Sequence, residues 1–432
     1  MLRAVGLDFG TTNSALAVVK EDGNVELASF DANGYRRDTF RSILYFSPAE
    51  PNTGGWPRVL TGHHAIEGYL ADSTHGRLIQ SIKSYLASRR FKRTDIFQHT
   101  YTLEQLIAIL LQSLRVEAES QFGPIRTPVV VGRPVHFGGA KDESDDAFAL
   151  SRLRTALNGA GFEDVIFEYE PVAAAYKYQM GLDHEELVLI ADFGGGTSDF
   201  SLIRLKPREQ GKGLEGNEIL GSDGLSIAGD TFDGKMVREL VSPKVGLGSR
   251  YRSAFGHVLP APSWLFQNLE RWHYLSFLKS RKNMQLLREI RADALEPRKI
   301  DALIHIVEND LGYPLYRAIE EAKLRLSEQS VSRFAFKEHP VEIEENISRQ
   351  QFAEWVGGEL KAINNCIDRL LRRCGVTARD VDAIFMTGGS SFVPAIRELF
   401  ENKFGGPARL RKGDELTSVA QGLAIRAAEA FR

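Results

Sequence analysis

One pattern of seven residues occurs twice in this chain. Asp8-Phe9-Gly10-Thr11-Thr12-Asn13-Ser14 is echoed by Asp192-Phe193-Gly194-Gly195-Gly196-Thr197-Ser198, with Asp, Phe, Gly and the closing Ser in register. Each copy follows an apolar run, Ala4 to Leu7 and Leu187 to Ala191, and each precedes another, Ala15 to Val19 and Phe200 to Leu205. The repeated unit is therefore strand, Gly/Thr turn, strand. That is a β-hairpin, not the strand-to-helix setting of a P-loop or a dinucleotide fingerprint. Two related halves, each with its own hairpin, predict two lobes facing a cleft. Glycine lets a turn present bare backbone N–H groups, which cradle phosphate oxygens. Thr11, Thr12 and Thr197 add hydroxyls, and Asp8 and Asp192 offer oxygen ligands of the kind that hold Mg²⁺. The bland alternative is a pair of ordinary tight turns.

The rest of the chain alternates strand-like and helical patterns, which predicts an α/β protein. Pro128 to Val131 reads as a strand stopped by Gly132 and Pro134, and Ala383 to Met386 as a strand leading into Thr387, Gly388 and Gly389. Leu103, Leu106, Ile107, Leu110, Leu111 and Leu114 follow a helical period, opened by a Thr102/Gln105 capping box. Val419 to Phe431 reads as a closing helix, and Pro207 to Gly224 as a loop or hairpin. The 432 residues are 43% hydrophobic and 26% charged, with a net charge of −3. This composition excludes a disordered chain and gives no global argument for a nucleic-acid or membrane partner. Cys366 and Cys374 lie about 12 Å apart along one expected helix, beyond disulfide reach. A reducing, cytoplasmic setting is expected.

GLDFGTTNS and IADFGGGTSDFS resemble the two phosphate loops of the actin/hexokinase/heat-shock superfamily. FEYEPVAAAY (Phe167 to Tyr176) resembles its connecting motif, MTGGSSFVP (Met386 to Pro394) its adenosine motif, and IEEAKLRLS (Ile319 to Ser327) the adenosine-contacting helix of the DnaK-type heat-shock protein 70 chaperones. The chain resembles the ATPase domain of that family from about residue 4 to 430. The resemblance implies an actin-like ATPase fold with two ribonuclease-H-like lobes on mixed five-stranded sheets and a nucleotide cleft. Lobe I would be 1–181 (core 1–31 and 101–181, upper subdomain 32–100). Lobe II would be 182–432 (core 182–227 and 357–432, upper subdomain 228–356, with an insertion at about 249–310).

The same resemblance implies ATP or ADP with Mg²⁺ as cofactors and slow ATP hydrolysis. Asp8 and Asp192 would hold Mg²⁺, mostly through water. Gly10, Thr11, Thr12 and Asn13 would meet the phosphates from one lobe, and Gly194, Gly195, Gly196 and Thr197 from the other. Lys83 stands at the place of the family's catalytic lysine, and Glu170 and Asp199 would orient water. Gly229, Asp230, Glu320, Lys323, Leu324, Ser327, Gly388, Gly389, Ser390 and Phe392 would contact the nucleotide. On a helical wheel Glu320, Lys323, Leu324 and Ser327 share one face, while Leu315, Ile319, Ala322 and Leu326 share the other. Leu324 and Phe392 replace two arginines that flank adenine in the family, so a cation–π clamp becomes an apolar slot. Arg133 and His136 alter the surroundings of Pro134, which matches the family's switch proline.

No apolar linker or β-sandwich follows the last helix in this sequence, so no intramolecular peptide clamp is expected. Ser249 to Arg291 carries eight Lys/Arg against two Glu, with Tyr251, Phe255, Trp264, Phe266, Trp272, Tyr274 and Phe277. The first reading is a helical subdomain with a solvated basic face. The second is a surface for an unidentified protein partner, and single-stranded nucleic acid comes last. The functional reading is a heat-shock-chaperone-like ATPase whose lobe closure signals nucleotide state. An actin-like filament protein, a small-molecule kinase of the same fold and an ATP-binding module without turnover are the alternatives.

Overall fold

Both repeated hairpins seed a mixed sheet, and the two sheets have the same plan. In the first, Leu2–Asp8 pairs antiparallel with Asn13–Lys20, which pairs with Val25–Leu27; on its other side Leu2–Asp8 lies parallel to Val129–Arg133, and that strand to Val165–Tyr169. In the second, Glu186–Phe193 pairs antiparallel with Ser198–Leu205, which pairs with Glu218–Leu225; Glu186–Phe193 also lies parallel to Ala383–Thr387, which neighbours Leu410–Arg411. Numbered along each half, both orders are third, second, first, fourth, fifth. A short strand, Phe40–Arg41, adds a sixth member to the first sheet beside Asn13 and Ser14. The computed structural model describes residues 2–431 except 33, 49–54, 72–75, 209–216, 254, 272–273 and 412–415.

Two differences from the sequence reading have local causes. The strand expected to stop at Gly132 continues through it to Arg133. Gly132 is there because Glu170 lies over it: a Cβ would come 3.0 Å from the Glu170 Cγ. Between Pro207 and Gly224, residues 209–216 lie outside the described set, and Glu218–Leu225 is a strand, so the hairpin alternative holds for the described part. The long helix Leu103–Phe122 starts on the Thr102/Gln105 capping box. With Glu143–Gly159 it covers one face of the first sheet, burying Leu106, Leu110, Leu114, Leu153 and Leu157.

Two helices rich in small residues, Glu170–Gln179 and Ser418–Ala430, share a core with strands of both sheets. Ala173, Ala174, Ala420, Ala424 and Ala427 are fully buried there. The backbones approach so closely that a Cβ on Gly422 would sit 1.8 Å from the Ala173 carbonyl oxygen. Any side chain at Gly422 must therefore push the helices apart.

The chain divides into two compact units. Met1–Ala228, Ile363–Ser391 and Leu399–Arg432 form the first, which holds both mixed sheets. Gly229–Ala362 and Phe392–Glu398 form the second. The second unit is mainly helical, with a long hairpin, Val331–Glu338 against Val341–Ser348, and a short one, Arg250–Arg252 against Val258–Pro260. Its basic and aromatic segment folds into the helices Ser263–Leu269, Leu275–Leu278 and Arg281–Ala292, packed with Pro297–Glu308. Phe266 is fully buried, Phe255 is 89% exposed, and Trp272 and the Phe277 side chain lie outside the described residues. Arg288 pairs with Glu308, Arg291 with Asp301 and Lys279 with Asp310. Among the described residues, no helix is long and apolar enough to cross a membrane.

Candidate functional site

The strand pairing places the acidic residues at the roots of both turns. Asp8 ends its strand opposite Ala15, and Asp192 lies opposite Asp199. The adjoining Phe9 and Phe193 are fully buried, so each turn is anchored by an aromatic ring. In the first turn Gly10 is obligatory: a Cβ would fall 2.0 Å from the Asn13 carbonyl oxygen. Its carbonyl accepts from the Ser42 hydroxyl at 2.8 Å, and the Ser42 N–H donates to the Thr12 carbonyl at 2.9 Å. Asn13 begins the outgoing strand, and its side-chain oxygen accepts from Arg41 at 3.3 Å. In the second turn the Gly194 N–H donates to the Thr197 carbonyl at 3.0 Å.

The two turns face each other. A Cβ built on Gly196 would lie 3.2 Å from the Thr11 hydroxyl and 3.6 Å from the Ser84 hydroxyl. The turn after Thr387 supports the second loop. The Ser390 hydroxyl donates to the Gly194 carbonyl at 3.1 Å, and Gly388, at φ +82°, leaves no room for a Cβ against the Phe193 carbonyl. Gly388, Gly389 and Ser390 thus gather at the Gly194 turn.

Lys83 comes to the same place from a 3₁₀ turn, Ile82–Tyr85, and Glu170 from the first position of its helix. The Lys83 Nζ donates to the Glu170 Oε1 at 2.7 Å, with the two side chains only 8% and 7% exposed. Burial works against the Lys83 charge, but Glu170 and Asp8 outweigh it and raise the lysine above its ordinary range. Burial pushes Asp8 up to about 7, helped by Glu170 and opposed by Lys83. Asp192 is also raised, first by burial and then by Glu170, Asp8 and Asp199. Asp199 rises to about 7 through burial and Glu170, with the Thr197 hydroxyl and the Val135 N–H pulling it down. The Val135 N–H donates to Asp199 Oδ1 at 2.8 Å, while Oδ2 is buried without a hydrogen-bond partner.

Four carboxylates therefore sense one another around one ammonium group. Such a surplus of buried negative charge calls for a cation. The donor set is hard oxygen, which suits Mg²⁺ rather than a softer metal. Among the described residues no three His, Cys, Asp or Glu side chains are grouped to chelate an ion directly.

In the second unit, Leu315, Ile319, Ala322 and Leu326 of helix Gly312–Glu328 are fully buried, as the helical wheel predicts. Lys323 on the other face pairs with Asp233 at 2.6 Å. Asp233 is pushed up to about 6 by burial, opposed by Lys323 and aided by Glu320. Leu324 is 61% exposed, Glu320 and Ser327 are half-buried, and Gly229 and Asp230 open the helix Gly229–Met236. Phe392 ends the short turn Gly389–Phe392 and is half-buried. The sequence reading missed Asp233, Ser42 and Ser84. Asp233 was accessible as the second acid of GDTFDG, one helical turn after Asp230. Ser42 and Ser84 are brought in by tertiary structure and carry no local signal.

The chain is similar to known proteins along most of its length. A family model described as Hsp70 protein matches residues 74–243 and 294–429. Chaperone protein DnaK of Thermosipho africanus is 28% identical over 429 residues, covering 98% of this chain and 58% of that protein. The DnaK proteins of Thermosipho melanesiensis and Thermotoga petrophila are each 26% identical, with 98% of this chain and 59% of theirs covered. The chain thus spans a little under three-fifths of the length of these relatives.

Proposed function

This chain belongs to the Hsp70 family, and from that premise we propose that it binds Mg-ATP and hydrolyses it slowly, with each mixed sheet forming the floor of one lobe (1–181 and 182–432). The observation that supports this reading most strongly is the approach of the two turns, with Gly196 against Thr11 and an Asp at the root of each. The N–H groups of Gly10, Thr11 and Thr12 and of Gly195, Gly196 and Thr197 would donate to phosphate oxygens from two sides, with the Gly194 N–H closing the second turn onto the Thr197 carbonyl. Asp8 and Asp192 would hold Mg²⁺ through its water shell, and the bound ion would neutralise phosphate charge. Lys83, kept charged by Glu170, stabilises charge developing on the transferred phosphoryl group. Asp199, held by the Val135 N–H and raised to about 7, accepts a proton from the attacking water at Oδ2. Glu170 keeps Lys83 in place. Glu320, Lys323, Leu324, Ser327 and Phe392, with Gly229 and Asp230, are proposed nucleotide contacts. The nucleotide state is proposed to be signalled to a protein partner, as a chaperone-like output.

Calorimetric titration of ATP with and without Mg²⁺, combined with phosphate release, tests this reading. Saturable Mg²⁺-dependent binding with slow release, both weakened by Asp192→Asn, is expected. Absence of nucleotide binding by the wild-type chain would overturn it.

A further inference from the structure

Lys83 is carried by a segment with almost no regular structure. Ser81 adopts a left-handed conformation at φ 52°, the 3₁₀ turn Ile82–Tyr85 follows, and further turns run to Phe91. Such a segment does not hold a lysine in place through its own backbone ladder. It is gripped instead by the helix Glu143–Gly159. Arg152 of that helix is a buried guanidinium, 6% exposed. Its Nη1 donates to the carbonyls of Ser88 at 3.2 Å, Tyr85 at 3.4 Å and Leu86 at 3.5 Å, and its Nη2 donates to the Phe91 carbonyl at 3.1 Å. Its Nε pairs with Glu104 on the neighbouring helix. A second contact fixes the same segment: Arg89 Nε donates to Asp145 Oδ1 at 2.9 Å. Phe148, one turn before Arg152, lies under both guanidinium groups, 4.6 Å from Arg89 and 5.4 Å from Arg152.

The same helix also holds the strand end that reaches Asp199. Asp146 accepts from the Phe137 N–H at 2.7 Å and pairs with His136 at 2.8 Å, directly after Val135. One helix thus fixes the backbone on both sides of the proposed chemistry. Five donors in a planar fork explain why arginine stands at 152: a lysine there keeps the charge for Glu104 but cannot span several carbonyls.

We propose that Arg152 is a positioning residue that sets Lys83 by clamping the carbonyls of residues 85–91. This inference rests on the proposed ATPase reading. Displacement of a reacting or charge-stabilising group by about 1 Å costs up to about a hundredfold in rate. Arg152→Lys is therefore expected to lower kcat about ten- to a hundredfold while the affinity for Mg-ATP changes less than about threefold.

The test is a double-mutant cycle in the full chain, with ATP turnover and nucleotide affinity measured for wild type, Arg152→Lys, Lys83→Gln and the double variant. If Arg152 acts through Lys83, the Arg152→Lys effect on kcat disappears in the Lys83→Gln background. Equal losses in both backgrounds would show a general structural role and overturn the proposal, as would an unchanged kcat in Arg152→Lys. Arg89→Gln at the exposed contact serves as a second variant if Arg152→Lys does not fold. It should lower kcat several-fold by the same route, again only when Lys83 is present, and an unchanged kcat there contradicts the clamp. If wild type binds no ATP, the ATPase reading fails; if wild type turns over ATP and the cycle is additive, only the clamp fails.

Discussion

The two mixed sheets share one strand order, yet their paired strands differ at one decisive position. Opposite Asp8 stands Ala15, and opposite Asp192 stands Asp199. The first turn is braced from outside the sheet by Ser42, the second by Ser390 and Gly388. The scaffold is duplicated, while the proposed chemistry is divided between the halves. The first half contributes Lys83 and Glu170, and the second contributes Asp199. A matched pair of turns suits the proposed grip on a polyphosphate tail, whereas the proposed proton transfer needs one base on one side.

Exchanging the residues that differ should expose this division. Asp199→Asn is expected to reduce phosphate release by about 10²–10⁴-fold, the usual contribution of a positioned general base, with Mg-ATP binding retained in calorimetry. The matching change in the first half, Ala15→Asp, should act on the fold instead. Ala15 is 1% exposed in an apolar core, so a carboxylate there should lower the thermal midpoint sharply, by several kcal/mol in stability. Equal kinetic losses from the two changes would erase the proposed asymmetry.

The turns themselves give the next test. Gly10→Ala places a methyl group 2.0 Å from a backbone oxygen, whereas at Gly194 the nearest atom is 3.5 Å away. Gly10→Ala should cost about 1–3 kcal/mol and impair nucleotide binding, and Gly194→Ala should cost less than about 1 kcal/mol by denaturant midpoint.

The smallest effect concerns the two buried lysine–carboxylate pairs, Lys83–Glu170 and Lys323–Asp233. Asp233 has a folded pKa of about 6, above its usual 3.8. The folded state therefore takes up the Asp233 proton at higher pH than the unfolded chain does. Its contribution to stability is largest below about pH 4 and is lost as pH rises through about 6. Relative to Asp233→Asn, wild type should gain up to about 2 kcal/mol between pH 7 and pH 4. A pH-independent difference would contradict the buried, raised carboxylate.

The hairpins and their acidic roots were legible because the motif repeats and continuous apolar runs flank each copy. The strand order was not, since pairing Val129–Arg133 with Leu2–Asp8 joins residues far apart in the chain. The charge surplus counted over Ser249 to Arg291 is offset in part for a local reason. The carboxylates that pair with Lys279, Arg288 and Arg291, namely Asp310, Glu308 and Asp301, lie just beyond that window. This pairing agrees with the first reading, a helical subdomain, for the described residues. Arg152 carries no motif, and its role depends on carbonyls supplied by a loop more than sixty residues earlier.

The convergence of the two turns is tested most directly by placing cysteines at Thr11→Cys and Gly196→Cys in one chain. Mild oxidation without nucleotide should join them rapidly, and saturating Mg-ATP should block the bond by occupying the space between the turns. Failure to cross-link, or cross-linking at the same rate with Mg-ATP bound, would contradict the account.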